Sequence, residues 1–171
     1  MSDKNFRSSK SGLENPIICY GKGRKVGYVL EKEIPVNTDS INKWKIFTPR
    51  ANNIGTELND DNLNSFPGEP NTICTESYIM IGANLNLNRE SCEILSKYLK
   101  TKFARLMHSI AKASQDAIAK TYRFVPMQDF SINSDIDCNK KISKIDRQLY
   151  EKYNLNEEKI KFIEEKIKPM K

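Results

Sequence analysis

Two Glu-x-Lys triplets, Glu157-Glu158-Lys159 and Glu164-Glu165-Lys166, come nearest in this sequence to a catalytic signature. A metal-dependent nuclease follows a strand with an Asp and then Glu-x-Lys, so that the carboxylates hold a divalent cation. Here both triplets fall in a segment patterned as a helix and crowded with Glu and Lys, where such pairs are ordinary surface charge. The single histidine, His108, lies in a helical segment and reads as a bystander. Cys19, Cys74, Cys92 and Cys138 are nowhere within four residues of one another, so no zinc motif can be written from them. They read as reduced thiols of a cytoplasmic protein. With no Ser/His/Asp or Cys/His arrangement standing out, the residue types point to a binding module.

Charge says what such a module would bind. The formal net charge is +6, unevenly distributed. Residues 1–50 carry 10 Lys/Arg against 5 Asp/Glu, residues 51–96 carry 1 against 7, and residues 97–125 carry 7 against 1. Two basic blocks separated by an acidic one suggest a basic face, which reads either as a site for a polyanion such as nucleic acid or as the solvated surface of a Lys- and Asn-rich chain. Within the first block, Lys22, Arg24 and Lys25 cluster at a turn tip that reads either as an ordinary exposed loop or as a contact to a phosphate backbone.

The elements that must position these residues are legible from pattern. A chain of 171 residues suits one domain. Residues 1–15 read as an extended lead-in with no apolar signal-peptide region, and no apolar run is long enough for a spanning helix, so no membrane partner is expected. Residues 16–130 read as an α+β core. In it, Ile17–Tyr20 and Val26–Leu30 form two strands around the basic turn, and Trp44–Phe47 forms a third. Phe66–Asn71 is a turn, and Thr72–Ile81 is the best strand in the chain. From Asn88 to about Lys112, apolar residues recur at steps of three and four, which predicts one long amphipathic helix. Its core stripe is bordered by Tyr98, Lys102, Arg105, Ser109 and Lys112. That border reads either as a phosphate-tracking face or as cationic stems covering the edge of the core. Tyr122–Val125 then reads as a strand stopped by Pro126. Residues 131–171 read as a C-terminal helical extension: a polar loop, a helix over 145–153, and a last helix capped by Asn156 with Ile160, Ile163 and Ile167 on one edge. The expected class is α+β: a mixed or antiparallel sheet with one long amphipathic helix and C-terminal helices.

Four stretches carry a resemblance: WKIFTPRANNIG (44–55), GEPNTICTESYIMIG (68–82), TKFARLMHSIAKASQDAIAKTYRFVPMQDFS (101–131) and QLYEKYNLNEEKIKFIEEKIKPM (148–170). Together, in this order over residues 15–171, they resemble the C-terminal target-recognition region of adenine-specific (N6) DNA methyltransferases of type II restriction-modification systems. These include the type in which methylase and nuclease share a chain. The chain departs from the family in beginning with methionine where the methylase domain would still precede. It also lacks the Asn/Asp-Pro-Pro-aromatic loop and the Gly-rich methyl-donor loop of the catalytic half, and has no Pro-Pro pair at all. Ser134–Cys138 replaces a segment that often holds a tryptophan. The resemblance therefore implies a fragment or separate specificity subunit that binds double-stranded DNA and is not an enzyme on its own. It has no cofactor in this chain; S-adenosylmethionine would belong to the catalytic domain or subunit that is its partner, possibly alongside a restriction endonuclease.

On that resemblance, residues 112–120 form a connector on the DNA side. Gln115 and Asp116 are placed at base edges there, and Lys112, Lys120 and Arg123 at phosphates. Arg50, Asn52 and Asn53 form a second reading face, since Arg pairs with guanine and Asn with adenine edges. Lys102 and Arg105 would join Lys22, Arg24 and Lys25 as positioning contacts. Two other readings are a scaffold that docks a partner through the apolar edges of the last two helices, and a small nuclease built on Glu158 or Glu165.

Overall fold

The computed structural model describes residues 6–52, 54, 63–114 and 116–170, with the backbone alone of Lys22. Alternation of buried and half-buried residues sets up β1 (Ile17–Gly21), which turns through Lys22-Gly23-Arg24 into β2 (Lys25–Val29). The two pair antiparallel, Ile17 opposite Val29 and Gly21 opposite Lys25. The turn needs left-handed backbone at two successive residues, Gly23 (φ 68°) and Arg24 (φ 60°), and only the first is glycine. β3 (Lys45–Pro49), β4 (Phe66–Gly68), β5 (Thr72–Cys74) and β6 (Tyr78–Ile81) complete the strands. They form two small sheets, ordered β2-β1-β5 and β4-β3-β6; β1 and β5 run parallel, and the other pairs run antiparallel. Tyr20, Phe47, Phe66 and Tyr78 join the sheets, their ring centroids 5.0–5.6 Å apart in tilted and edge-to-face pairs.

The α+β class holds, with three changes inside it. The expected strand over 72–81 is two strands in different sheets. Thr75–Ser77 turns between them, the Tyr78 N–H donating to the Thr75 carbonyl at 3.1 Å. The expected turn at 66–71 contains β4. The expected long helix is two helices, α1 (Arg89–Leu99) and α2 (Lys102–Ile110). One extended residue, Thr101 (φ −63°, ψ 151°), interrupts them, and its hydroxyl caps α2 by accepting from the Ala104 N–H at 3.1 Å. A single break of this kind leaves the spacing of apolar residues nearly intact, so periodicity alone reads through it. Tyr122–Val125 is likewise not a strand. Ala119–Tyr122 forms a 3-10 turn closed by the Thr121 hydroxyl, which donates to the Ile118 carbonyl, and the Val125 N–H bonds back to Tyr122.

Two further helices, α3 (Ile142–Lys152) and α4 (Glu157–Lys166), follow a polar connection, and Asn156 caps α4 through the Lys159 N–H at 3.0 Å. They complete the larger core. Ile145, Leu149, Tyr150, Ile163 and Ile167 pack in one cluster with Ile46 of β3 and Leu95, Leu99, Phe103 and Leu106 of α1 and α2. The α2 N-terminus is held from α3. Asp146, buried, accepts from the Lys102 N–H at 3.1 Å and the Phe103 N–H at 2.9 Å. Two backbone donors that a helix start leaves unsatisfied are thereby met by a carboxylate 44 and 43 residues further on. A smaller cluster of Ile17, Cys19, Val29, Ile41 and Ile73 lies under the first sheet. None of the four cysteines is in a disulfide. Among the described residues no helix is long and apolar enough to cross a membrane.

Candidate nucleic-acid interface

The β1–β2 turn and the end of β3 face each other across a cleft of about 630 Å3, lined by Gly23, Arg24, Arg50, Asn64, Tyr78 and Asp116 among others. The fold thus brings two of the singled-out cationic segments to one place. Arg24 is fixed three ways. Its N–H donates to the Tyr78 hydroxyl at 3.0 Å, its Nη2 donates to the Asn64 carbonyl at 2.9 Å, and its guanidinium lies 4.7 Å from the Phe66 ring centre. Lys25 follows it, exposed. Lys22 shares the turn, but its side chain lies outside the described atoms.

Arg50 approaches from the other wall. Its Nε and Nη2 donate to Asp116 Oδ1 and Oδ2 at 2.6 and 2.8 Å, a forked pair in which each side chain is 46% exposed. The backbone supports it: the Arg50 N–H donates to Ser77, the Ala117 N–H donates to the Arg50 carbonyl, and Ala51 bridges to Asp116. The hydrogen bond from Arg50 holds the Asp116 carboxyl below its usual range, and Asp116 raises the Arg50 pKa in return. Glu76 adds a second carboxylate to the wall. Asp116, expected at base edges, is therefore occupied by Arg50. No local signal marks that pair, whose members are 66 residues apart. Tyr78 and Asn64, which position Arg24, were not anticipated either.

The loop after Arg50 is internally tied. Asn52 is buried, its amide donates to the Pro49 carbonyl, and its Oδ1 accepts from the Ile54 N–H at 3.3 Å. Lys112, from the end of α2, donates to the Asn52 Oδ1 at 2.7 Å and the Ile54 carbonyl at 3.0 Å. The structure thus turns both residues inward, toward each other, where the sequence placed them at bases and phosphates. Asn53 and Gln115 lie outside the described residues.

Of the two readings of the helix border, the structure favours side chains that cover the edge of the core. Arg105 is 1% exposed, its Nε donating to the Lys100 and Thr101 carbonyls at 3.2 and 3.3 Å. Tyr98 is buried and donates to the Pro126 carbonyl at 2.7 Å. Lys102, its side chain 15% exposed, donates to the Glu164 carbonyl and carboxylate at 2.9 and 2.6 Å. Lys102 thus serves α4 and Arg105 the carbonyls at the α1–α2 break, while Lys112 serves the loop after Arg50. Lys120 and Arg123 are exposed on the 119–123 turn, away from the cleft lining, with Arg123 stacked 4.7 Å from the Phe124 ring centre. His108 is buried, with its Nε2 2.9 Å from the Thr121 hydroxyl and its ring 4.0 Å from that of Tyr122; burial pushes its pKa down to about 4.

Two other features were weighed by the sequence. Among the described residues no group of three or more His, Cys, Asp or Glu is placed to hold a metal. Of the apolar edge of the last helix, Ile163 and Ile167 are buried in the core and Ile160 is partly buried against it, while Phe162 beside them is exposed. Apolar surface also lines a groove of about 590 Å3 along β6, between Ile34, Val36, Ile79, Leu95, Met127 and Phe130. β6 is the edge strand of its sheet there. Comparison with protein-family models, with curated proteins and with solved structures finds no match.

Proposed function

We propose that the protein recognises double-stranded DNA in the cytoplasm as the target-recognition part of an N6-adenine methyltransferase of a restriction-modification system. A separate catalytic domain or subunit would bind S-adenosylmethionine and transfer the methyl group, and this chain would be inactive by itself. The observation that supports the reading most is the meeting of Arg24 and Arg50. They come from segments far apart in sequence, line one cleft, and are held at backbone positions fixed by β3, the β1–β2 turn and Tyr78. Guanidinium groups held in this way suit forked pairing with phosphate or with guanine. Lys25 extends the basic edge of the turn, and Lys120 and Arg123 supply further exposed cations.

The test is a fluorescence-anisotropy titration of the protein with a random-sequence duplex pool at several salt concentrations, with sequencing of the retained fraction. Expected are binding that weakens steeply with salt, enrichment of one short adenine-containing motif, and a slope shallower by about one for Arg24→Ala. Absence of binding at low salt overturns the reading. The docking reading, which the groove beside the open edge of β6 favours, then moves forward. Incubation with plasmid and magnesium tests the nuclease reading, which predicts cleavage that is lost in Glu158→Ala or Glu165→Ala.

A further inference from the structure

The forked partner of Arg50 is a carboxylate, and the two oxygens of Asp116 occupy the two donor positions that a phosphate diester would take. We infer that Asp116 is a displaceable cover on Arg50, and that a polyanion entering the cleft exchanges one of its phosphates for the Asp116 carboxylate. This rests on the reading of the cleft as a DNA interface.

Four observations converge on it. Both members of the pair are half-exposed, so exchange costs little desolvation and the attraction being replaced is solvent-screened. Arg24, across the same cleft, is held by a neutral carbonyl and an aromatic ring, and among the described residues no carboxylate covers its charge in the way Asp116 covers Arg50. The backbone around Arg50 does not depend on the ion pair. The Ser77 carbonyl and the Ala117 N–H hold it, and Lys112 pins the following loop through Asn52 and Ile54. Asp116 can therefore rotate away while the Arg50 main chain stays in register. Finally, among the described residues that line the cleft the arginines are Arg24 and Arg50, and Asp116 is the carboxylate that lies on one of them. With Asp116 turned out, the two guanidinium groups face the ligand with one carboxylate fewer opposing them. The cover would discriminate by geometry as well as charge. A ligand that displaces a forked carboxylate must supply two oxygens at fork spacing, which a phosphate does and chloride does not.

A double-mutant cycle on the full chain tests this, using a fluorescent duplex of the motif retained from the pool. Asp116→Asn in the wild-type background should tighten duplex binding by about three- to fivefold and steepen the salt dependence, by analogy with exposed ion pairs. In the Arg50→Ala background the same substitution should change affinity by less than about 1.5-fold, within what distant sites show. Equal tightening in both backgrounds would mean only that a negative charge was removed, and would overturn the proposal; so would no tightening in either. If no duplex binds any variant, the DNA reading fails, and the cover is judged separately by following the Arg50 Nε–H resonance during titration with inorganic pyrophosphate. A shift in Asp116→Asn at several-fold lower concentration than in wild type sustains the cover. Equal midpoints, or no shift in either protein, overturn it. Melting temperatures of all variants within a few degrees of wild type exclude misfolding as the cause, as expected at half-exposed positions.

Discussion

Replacing Arg105 with alanine separates two roles that its sequence position allowed. If Arg105 touched phosphate, its loss would weaken duplex binding and leave folding alone. In the structure it is almost wholly buried, its Nε bonds the last carbonyls at the α1–α2 break, and its charge partly offsets the rise that burial imposes on the Asp146 carboxyl. Truncation leaves two carbonyls without this donor, a buried carboxylate without its nearby cation, and a void. Removing one partner from a buried charged arrangement costs about 3–5 kcal/mol. At about 2–4 °C per kcal/mol for a chain of this size, the melting temperature should fall on the order of 10 °C. The assay is thermal unfolding followed by circular dichroism, run beside the salt-dependent anisotropy titration. Arg24→Ala serves as the contrast: its side chain is on the surface of the cleft, so it should shift the salt slope and barely move the melt. An Arg105→Ala protein that melts within about 2 °C of wild type while its salt slope becomes shallower would refute the buried-tie account and return Arg105 to the interface.

His108 gives a pH prediction. Its folded pKa of about 4 lies below the ordinary 6.5, so the unfolded chain binds the extra proton across that window. The contribution is fully present above pH 6.5 and is lost as pH falls toward 4, up to about 3 kcal/mol; urea unfolding at stepped pH should show it, and His108→Gln should flatten the slope by about one proton. Asp146→Ala removes the acceptor for the Lys102 and Phe103 N–H groups and should cost about 2–4 kcal/mol. Hydrogen exchange should show the loss first in the opening turn of α2, and unchanged protection there would count against the cap.

What the sequence disclosed followed physical range. The hairpin around the basic turn, β3, α3 and the Asn156 cap are set by neighbours a few residues away, and local pattern found them. The break at Thr101 did not show, because one extended residue barely disturbs a three-and-four spacing, and because Asp146, which stabilises the new helix start, comes from another helix. Tyr122 looked like strand because it is aromatic, yet it serves as a ring stacked on His108. The basic stripe on α2 was judged from α2 alone. Once Glu164 and the α1–α2 carbonyls are in place, Lys102 and Arg105 have inward partners. Arg24 and Arg50 were both singled out, but that they share a cleft, and that Asp116 covers one of them, are tertiary facts with no sequence counterpart.

The Asp146 cap also bears on synthesis. α2 leaves the ribosome long before the residue that completes its first turn, with 44 residues separating Lys102 from Asp146. At about 5–20 residues per second, that is a delay of roughly 2–9 s. The covering helix arrives later still, since Glu164 lies 62 residues beyond Lys102. For that interval the nascent chain carries the apolar face of α1 and α2 without α3 and α4 over it, and the cations of α2 without their inward partners. A ribosome stalled before residue 142 would therefore hold a basic, apolar-faced intermediate, open both to chaperones and to the ribosomal RNA beside the exit tunnel.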